Sequence, residues 1–145
     1  MNTKLENKLF IKYPHLFPNG RKVDERKSLM LFGMEHDDGW FNLLDNTLGC
    51  IQNYVDNNKK DQPVVLQVKE KYGGIRIYLS PQDDMINGMI WLAEYISNHT
   101  CEQCGKSGLL KDMGYVKTLC EECYNEKQKE RLENFKTRAK RSKKV

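Results

Sequence analysis

The amino-acid sequence predicts an α+β fold: a small body of helices with a β-hairpin, followed by a cysteine-rich finger of treble-clef or ribbon type and a basic C-terminal helix. Three observations predict it. Apolar residues recur at helical spacing in several segments, two β-rich runs flank a pair of glycines, and two Cys-x2-Cys pairs occur late in the chain. We therefore expect an α+β body over residues 1–98, the finger over 99–125 and a basic helical tail over 126–145.

The composition narrows the class of protein. Of the 145 residues, 39% are hydrophobic and 30% are charged, which suffices for a modest core and is too apolar for a wholly disordered chain. No apolar run approaches the ~20 residues of a membrane span, and the first residues carry no signal-peptide pattern. We expect no membrane partner and a cytoplasmic location, where paired cysteines hold metal more often than they form disulfides.

The first helix is predicted to begin at Thr3, because Thr3-x-x-Glu6 has the pattern of a capping box. It should end before Pro14, since proline disfavours a helical conformation in the residue that precedes it. From there to about His36 the chain is expected to be irregular, with the charged stretch 21–27 on the surface.

The second helix has the clearest pattern, an apolar stripe over four turns formed by Phe41, Leu44, Leu48, Ile51 and Val55. Asp37 or Asp38 is predicted to cap its N-terminus, and Asn57-Asn58 to end it. Cys50 lies beside the stripe, so we predict that it belongs to the core.

A β-hairpin is predicted next. The run 64–69 is rich in β-branched residues and the run 75–79 alternates strictly between apolar and polar residues. Gly73-Gly74 stands between them, and paired glycines supply the positive φ angles of a tight turn. Three side chains of the second run should face the core: Ile75, Ile77 and Leu79.

The third helix is predicted to start at Ser80-Pro81-x-Asp83, which supplies a cap, a proline in the first turn and an early acid. Its apolar stripe consists of Met85, Met89, Leu92 and Ile96, and is widened by Ile86, Ile90 and Ala93. The helix runs almost directly into Cys101, so we expect the finger to join the body without a flexible linker.

Four of the five cysteines are predicted to bind one structural Zn²⁺: Cys101, Cys104, Cys120 and Cys123. Two cysteines three positions apart can turn both sulfurs inward, and two such knuckles complete a tetrahedron. Residues 109–118 can form a hairpin between the knuckles, and the second pair should begin the last helix. Because four thiolates close the coordination shell, we expect a structural metal. Four free thiols or a redox site are the alternative.

Three other segments are candidate contact sites. An acidic loop before the second helix could hold a metal or ligand through Glu35, Asp37, Asp38 and Trp40, or could simply cap the helix with Trp40 in the core. Bases and aromatics alternate in the hairpin at Lys69, Lys71, Tyr72 and Arg76, which would suit contact with nucleic acid or a protein partner. Residues 124–145 hold nine Lys and Arg against three Glu, and the candidate contacts there are Lys136, Arg138, Lys140 and Arg141.

The chain contains, in this order, Lys12-Tyr13-Pro14 with Leu16-Phe17, Asp38-Gly39-Trp40-Phe41, the run 68–76 (VKEKYGGIR), Ala93-Glu94 and Cys101-Glu102-x-Cys104-Gly105. Together these motifs resemble a group of small phage and prophage zinc-finger proteins. The resemblance implies a phage source and this co-occurring set of residues, but no particular activity. The cysteine segment alone also looks like the finger of RNA-polymerase-binding regulators of the suppressor-of-chaperone-defect type, which carry a long coiled coil that is not predicted here.

Two classes of function follow as hypotheses. The first is a phage-encoded zinc-binding accessory protein, located in the cytoplasm of the host, that binds and modulates a host protein or nucleic acid of the transcription or defence machinery. The second is an enzyme or a small-ligand-binding module centred on the acidic loop 35–40 and the hairpin 69–78. A His-Asn-His nuclease is disfavoured, because residues 105–145 contain no histidine.

Overall fold

The computed structural model describes the backbone of residues 1–142 and side chains as far as residue 137. Over that range the chain is α+β, as predicted, with two antiparallel hairpins. The elements are α1 (Thr3–Lys12), α2 (Phe41–Asn58), β1 (Val64–Lys71), β2 (Gly74–Ser80), α3 (Asp84–Ser97), β3 (Leu109–Asp112), β4 (Val116–Leu119) and α4 (Glu121–Ser142), with 3-10 helices at Leu29–Phe32 and Asp38–Trp40. None of the described helices combines the length and the apolar character needed to cross a membrane.

Helix α1 has the predicted bounds but not the predicted capping box. The N-cap is Asn2, whose side chain accepts a hydrogen bond from the amide of Leu5. Glu6 is completely buried instead of folding back on the helix end. Its carboxylate accepts from the amide of Met34, at 2.6 Å, and pairs with Arg21. A carboxylate in the core needs such partners, so Glu6 joins α1 to the irregular segment that follows it.

Helix α2 confirms the predicted stripe and its end at Asn58. The predicted caps are wrong: neither Asp37 nor Asp38 makes a side-chain cap hydrogen bond, and Asp38 accepts instead from the backbone and side-chain amides of Asn2. Cys50 is exposed rather than in the core. Cys50 precedes Ile51 of the stripe by one position, and one position turns a helical side chain by about 100°.

The first hairpin pairs β1 with β2, and its turn is shifted by one residue from the predicted pair of glycines. Tyr72 and Gly73 occupy the turn, with φ of 55° and 81°, while Gly74 already pairs with Lys71 in the ladder. A tyrosine with positive φ is uncommon. Ile75, Ile77 and Leu79 face the core as predicted.

Helix α3 begins later than predicted. Asp83 is its N-cap and accepts a hydrogen bond from the amide of Ile86, so Ser80-Pro81 precedes the helix. The buried stripe is centred about 100° from the predicted one: Ile86, Ile90 and Ala93, predicted to flank the stripe, are buried as expected and form its centre with Ser97. Met85, Leu92 and Ile96, predicted to be core, are exposed. Two separate clusters of buried residues result, one in the body and a smaller one around the cysteines.

Candidate metal centre

The four predicted cysteines converge on one point. One ligand atom from each of Cys101, Cys104, Cys120 and Cys123 lies within 4.8 Å of all the others, and the sulfurs of Cys104 and Cys120 are 3.7 Å apart. A regular tetrahedron with metal–sulfur bonds of about 2.3 Å has sulfur–sulfur edges of about 3.8 Å. The four residues can therefore hold one metal ion at a common centre.

Local structure explains how the pairs are positioned. The first pair follows directly on α3, and Gly105, with φ of 78°, turns the chain away after it. Strands β3 and β4 then form the predicted hairpin, with Leu109 opposite Leu119 and Asp112 opposite Val116. The second pair brackets the start of α4, where unpaired helix amides face outward. The order knuckle, hairpin, knuckle and helix agrees with the sequence prediction.

The helix start stabilises one of the thiolates. The amide of Cys123 donates to the sulfur of Cys120 at 3.5 Å, and this hydrogen bond lowers the pKa of the Cys120 thiol. Desolvation raises the pKa of the Cys104 and Cys123 thiols. Because a bound cation favours the deprotonated form of every ligand, metal binding at this site releases protons.

The acidic loop is a docking element for the first knuckle. The amide of Gly39 donates to the carbonyl of Glu102 at 2.7 Å. A Cβ atom at Gly39 would lie 2.6 Å from the amide nitrogen of Cys104, and closer still to the carbonyl oxygen of Cys101. Only glycine fits this approach, because the obstructing atoms belong to the backbone of the knuckle. The loop and the metal site are therefore in direct backbone contact.

An ion network fixes the same junction. Glu102, 1% exposed, is 2.9 Å from Lys117 Nζ, and its other oxygen accepts from the amide of Asp37 at 3.1 Å. Lys117 also donates to the carboxylate of Asp37 at 2.9 Å. Burial raises the pKa of Glu102. One lysine thus neutralises two acids, one from the body and one from the finger.

Two further hydrogen bonds extend the junction. The indole of the fully buried Trp40 donates to the carbonyl of Thr100 at 2.7 Å. At the tip of the first hairpin, Thr118 Oγ1 donates to the carbonyl of Gly73 at 2.6 Å. The remaining member of the loop, Glu35, pairs through its backbone with β1 beside Lys69. The loop residues are therefore engaged in contacts within the chain.

The candidate contact residues of the hairpin are only partly available. Lys69 and Arg76 are paired across the strands, but both are half-buried, and Arg76 lies 3.6 Å from Glu94 of α3. Lys71 and Tyr72 are exposed at the turn, where the ammonium lies 5.6 Å from the tyrosine ring centroid. Of the four candidate residues of the hairpin, Lys71 and Tyr72 are thus the two that remain exposed for contact with a partner.

Helix α4 carries the basic residues away from the finger. The guanidinium of Arg131 donates to the carbonyl of Met113, which ties the middle of α4 to the β3–β4 turn. Side chains 129–137 are all exposed, and Lys136 is among them. The side chains of Arg138, Lys140 and Arg141 lie outside the described residues.

Sequence reasoning missed the residues that join the two parts, above all Gly39, Glu102 and Lys117. Their partners are distant in sequence, and a buried lysine or glutamate has no local pattern that distinguishes it from a surface one. Comparisons with protein-family models, curated proteins and solved structures give no match for the chain.

Proposed function

We propose that the chain is a phage-encoded zinc-binding accessory protein that acts by binding host nucleic acid or a host protein, and not by catalysis. In this proposal the cysteine cluster is a treble-clef finger with one structural Zn²⁺. The observation that carries the proposal is the run of lysines and arginines at the C-terminal end of the sequence, which α4 joins to the metal site. The phage source rests on the resemblance of the sequence motifs.

Zinc is the metal that the donor set favours. Four thiolates arranged as a tetrahedron suit Zn²⁺, which has no geometric preference of its own and is commonly bound by four cysteines in structural sites. All four positions of such a shell are taken by protein sulfurs. The ion would then lack an open position for water or substrate, which is the feature of catalytic zinc sites.

The contacts of the acidic loop support a binding protein over an enzyme. Asp37 is paired with Lys117, Asp38 holds Asn2, and Trp40 is buried against Thr100. These contacts account for the residue types that the loop shares with a metal or acid–base site. The ligand-binding alternative has one feature in its favour, a cavity of about 630 Å³ between α2 and α3 that Asp38 and Gly39 border. The hairpin does not line this cavity, and its Gly73 carbonyl is bound by Thr118 of the finger.

The charge of the C-terminal segment, which follows the finger on α4, favours nucleic acid as the target. The helix has 22 residues and is therefore about 33 Å long, of which the finger contacts the first half. Residues 124–145 carry a net charge of +6. Lysines and arginines on a projecting helix bind phosphates without reading base sequence, and such binding weakens steeply as salt rises.

Fluorescence anisotropy with labelled duplex DNA and single-stranded RNA, over a range of salt concentrations, tests the proposal. We expect affinity at low salt that falls as salt rises. Replacing Lys136, Arg138, Lys140 and Arg141 by Gln should flatten the plot of log K against log salt by about 3–4 in slope, at roughly 0.9 per phosphate contact. A control variant with Lys69→Gln and Lys71→Gln should retain most of the binding. Absence of binding at low salt would contradict the nucleic-acid target and favour a host protein, to be sought by affinity capture from host lysate.

A further inference from the structure

One face of α3 is apolar and uncovered. Met85 is 55% exposed, Trp91 69%, Leu92 53%, Tyr95 57% and Ile96 40%. This outward face, defined by those five side chains, points away from the buried stripe of the same helix. The rings of Trp91 and Tyr95 stack on each other, with centroids 6.4 Å apart. Isolated apolar residues on a surface are ordinary, but a contiguous helical face of this composition marks a site of association.

A glycine lies in the middle of the outward face. Gly88 is inside α3, where glycine destabilises a helix relative to alanine, and a Cβ atom there would meet nothing within 4 Å. Neither a positive φ nor a close neighbour within the described chain requires glycine at this position. A missing side chain in the centre of an apolar face does allow a second helix to approach closely.

The spacing on this face is that of a helix-pairing seam. Met85, Gly88, Leu92 and Tyr95 follow each other at steps of three, four and three, which is the a/d pattern of paired helices. Trp91 and Ile96 flank the seam. Of the two acids of α3, Glu94 lies off the seam and faces Arg76, whereas Asp84 lies at the N-terminal end of the seam, four residues before Gly88.

The chemistry of the face points to protein rather than nucleic acid. It contains no lysine or arginine, whereas surfaces that stack nucleobases combine aromatic rings with basic residues that hold the phosphates. Tryptophan, tyrosine and methionine at a charge-depleted centre are typical of protein–protein interfaces. Such a seam can also pair with a second copy of itself about a twofold axis. Each copy then supplies both the space beside its glycine and the large side chain that fills the same space on the other copy.

We propose that the outward face of α3 binds a second copy of this chain, with the two α3 helices antiparallel and Gly88 of each copy against Leu92 of the other. The five exposed fractions correspond to roughly 500–600 Å² of surface. Complete burial of these side chains on two copies would remove at most about 1,100 Å² from solvent, just below the lower limit of about 1,200 Å² for stable specific interfaces. The dimer is accordingly weak and forms in a concentration-dependent way.

Sedimentation velocity of the full, metal-loaded chain at increasing concentration tests this proposal. The wild-type chain should pass from monomer to dimer, and the emission of Trp91 should shift to shorter wavelength over the same range. Leu92→Asp should weaken the dimer at least about tenfold, because it places a charge in the desolvated seam. Ile11→Asp is the matched control: Ile11 is 80% exposed on α1, and its replacement should leave the dimer intact.

A second variant separates association from folding. Gly88→Gln should raise the thermal stability of the monomer, because it replaces a helical glycine at a position with open space, and should also weaken the dimer at least about tenfold. A chain that stays monomeric at all concentrations overturns the proposal, even if the face then proves to bind a different protein. A dimer that survives both Leu92→Asp and Gly88→Gln overturns it as well, since the interface would lie elsewhere.

Discussion

The ammonium of Lys117, on strand β4 of the finger, lies 2.9 Å from a carboxylate oxygen of Glu102, which is 1% exposed. The same ammonium lies 2.9 Å from Asp37 in the loop that precedes α2. Removing one partner of a buried ion pair leaves a charge without compensation and is costly, whereas an exposed pair contributes little. The stability of the whole chain should therefore depend on this lysine.

Lys117→Met should lower the free energy of unfolding by about 2–4 kcal/mol at neutral pH, because Glu102 remains buried without a cation. Urea denaturation followed by circular dichroism measures the change. Lys106→Met is the control, since Lys106 lies 2.6 Å from Glu122 but both side chains are mostly exposed. Equal losses in the two variants would show that burial of the pair is not what matters.

The loss in Lys117→Met should shrink as the pH falls. Burial raises the pKa of Glu102, and removal of the lysine raises it further. A carboxyl group with a raised pKa binds more protons in the folded than in the unfolded state, so the free energy of unfolding increases as the pH falls through that pKa. Denaturation of the variant and the wild type at pH 7 and pH 5 should show a smaller difference at the lower pH.

Gly39→Ala should disrupt the metal site without touching a cysteine. The new methyl group would lie 2.6 Å from the amide nitrogen of Cys104, so the knuckle must shift to admit it. We expect a loss of about 2–3 kcal/mol in stability and a 10–100-fold loss in metal affinity, the range typical for residues that orient ligands. Competition with a chromophoric chelator measures the affinity. Gly88→Ala, where a Cβ atom meets nothing within 4 Å, should leave metal affinity unchanged.

One metal ion should be found per chain, and it should require the cluster. Native mass spectrometry should show a single bound zinc that is lost in Cys120→Ser and retained in Cys50→Ser, because Cys50 is exposed on α2 and apart from the cluster. Substitution by Co²⁺ should give the absorption bands of a tetrahedral thiolate site. A folded Cys120→Ser chain that still binds one zinc with full affinity would contradict the assignment.

Protonation of His36 should destabilise the chain in mild acid. The imidazole is 6% exposed, and burial lowers its pKa from 6.5 to about 4. At His36 the folded chain therefore binds fewer protons than the unfolded chain, so the free energy of unfolding falls as the pH drops from 6.5 to 4. At 1.36 kcal/mol per unit of pKa the total loss is about 3 kcal/mol.

His36→Phe keeps an aromatic ring beside Trp40, whose ring centroid lies 5.6 Å from that of His36, and cannot be protonated. The pH dependence of its stability between 6.5 and 4 should be shallower than that of the wild type by about that amount. Urea denaturation at several pH values compares the two chains. Parallel curves would assign the acid sensitivity to other groups.

The sequence predicted those features that depend on short-range pattern. The spacing of the cysteine pairs placed both knuckles, and the stripe around Leu48 gave α2 nearly its full extent. Errors arose where a contact distant in sequence decided the outcome. Glu6 does not form the capping box, because its carboxylate instead binds Arg21 and the amide of Met34 in the core. The stripe of α3 was misplaced because both of its candidate faces are apolar, and only the position of α2 and β2 decides which is buried.

The role of the acidic loop was beyond sequence reasoning for the same physical reason. Asp37 and Asp38 in a row match both a helix cap and a metal site, and the pattern cannot reveal that Gly39 will lie against the backbone of residues 101–105. The exposure of the aromatic residues on α3 could not be predicted from the sequence either, because Trp91 next to Leu92 is as typical of a core as of an interface.

The backbone contact between Gly39 and the first knuckle makes the finger a poor candidate for transplantation. Residues 99–125, expressed alone or grafted onto another protein, would lack the loop that covers Cys101 and the acid that shares Lys117. The body alone would in turn leave the Trp40 indole without its acceptor. The body and the finger are thus not independent modules. A substitution on one side of their junction must remain compatible with the residues that it contacts on the other side.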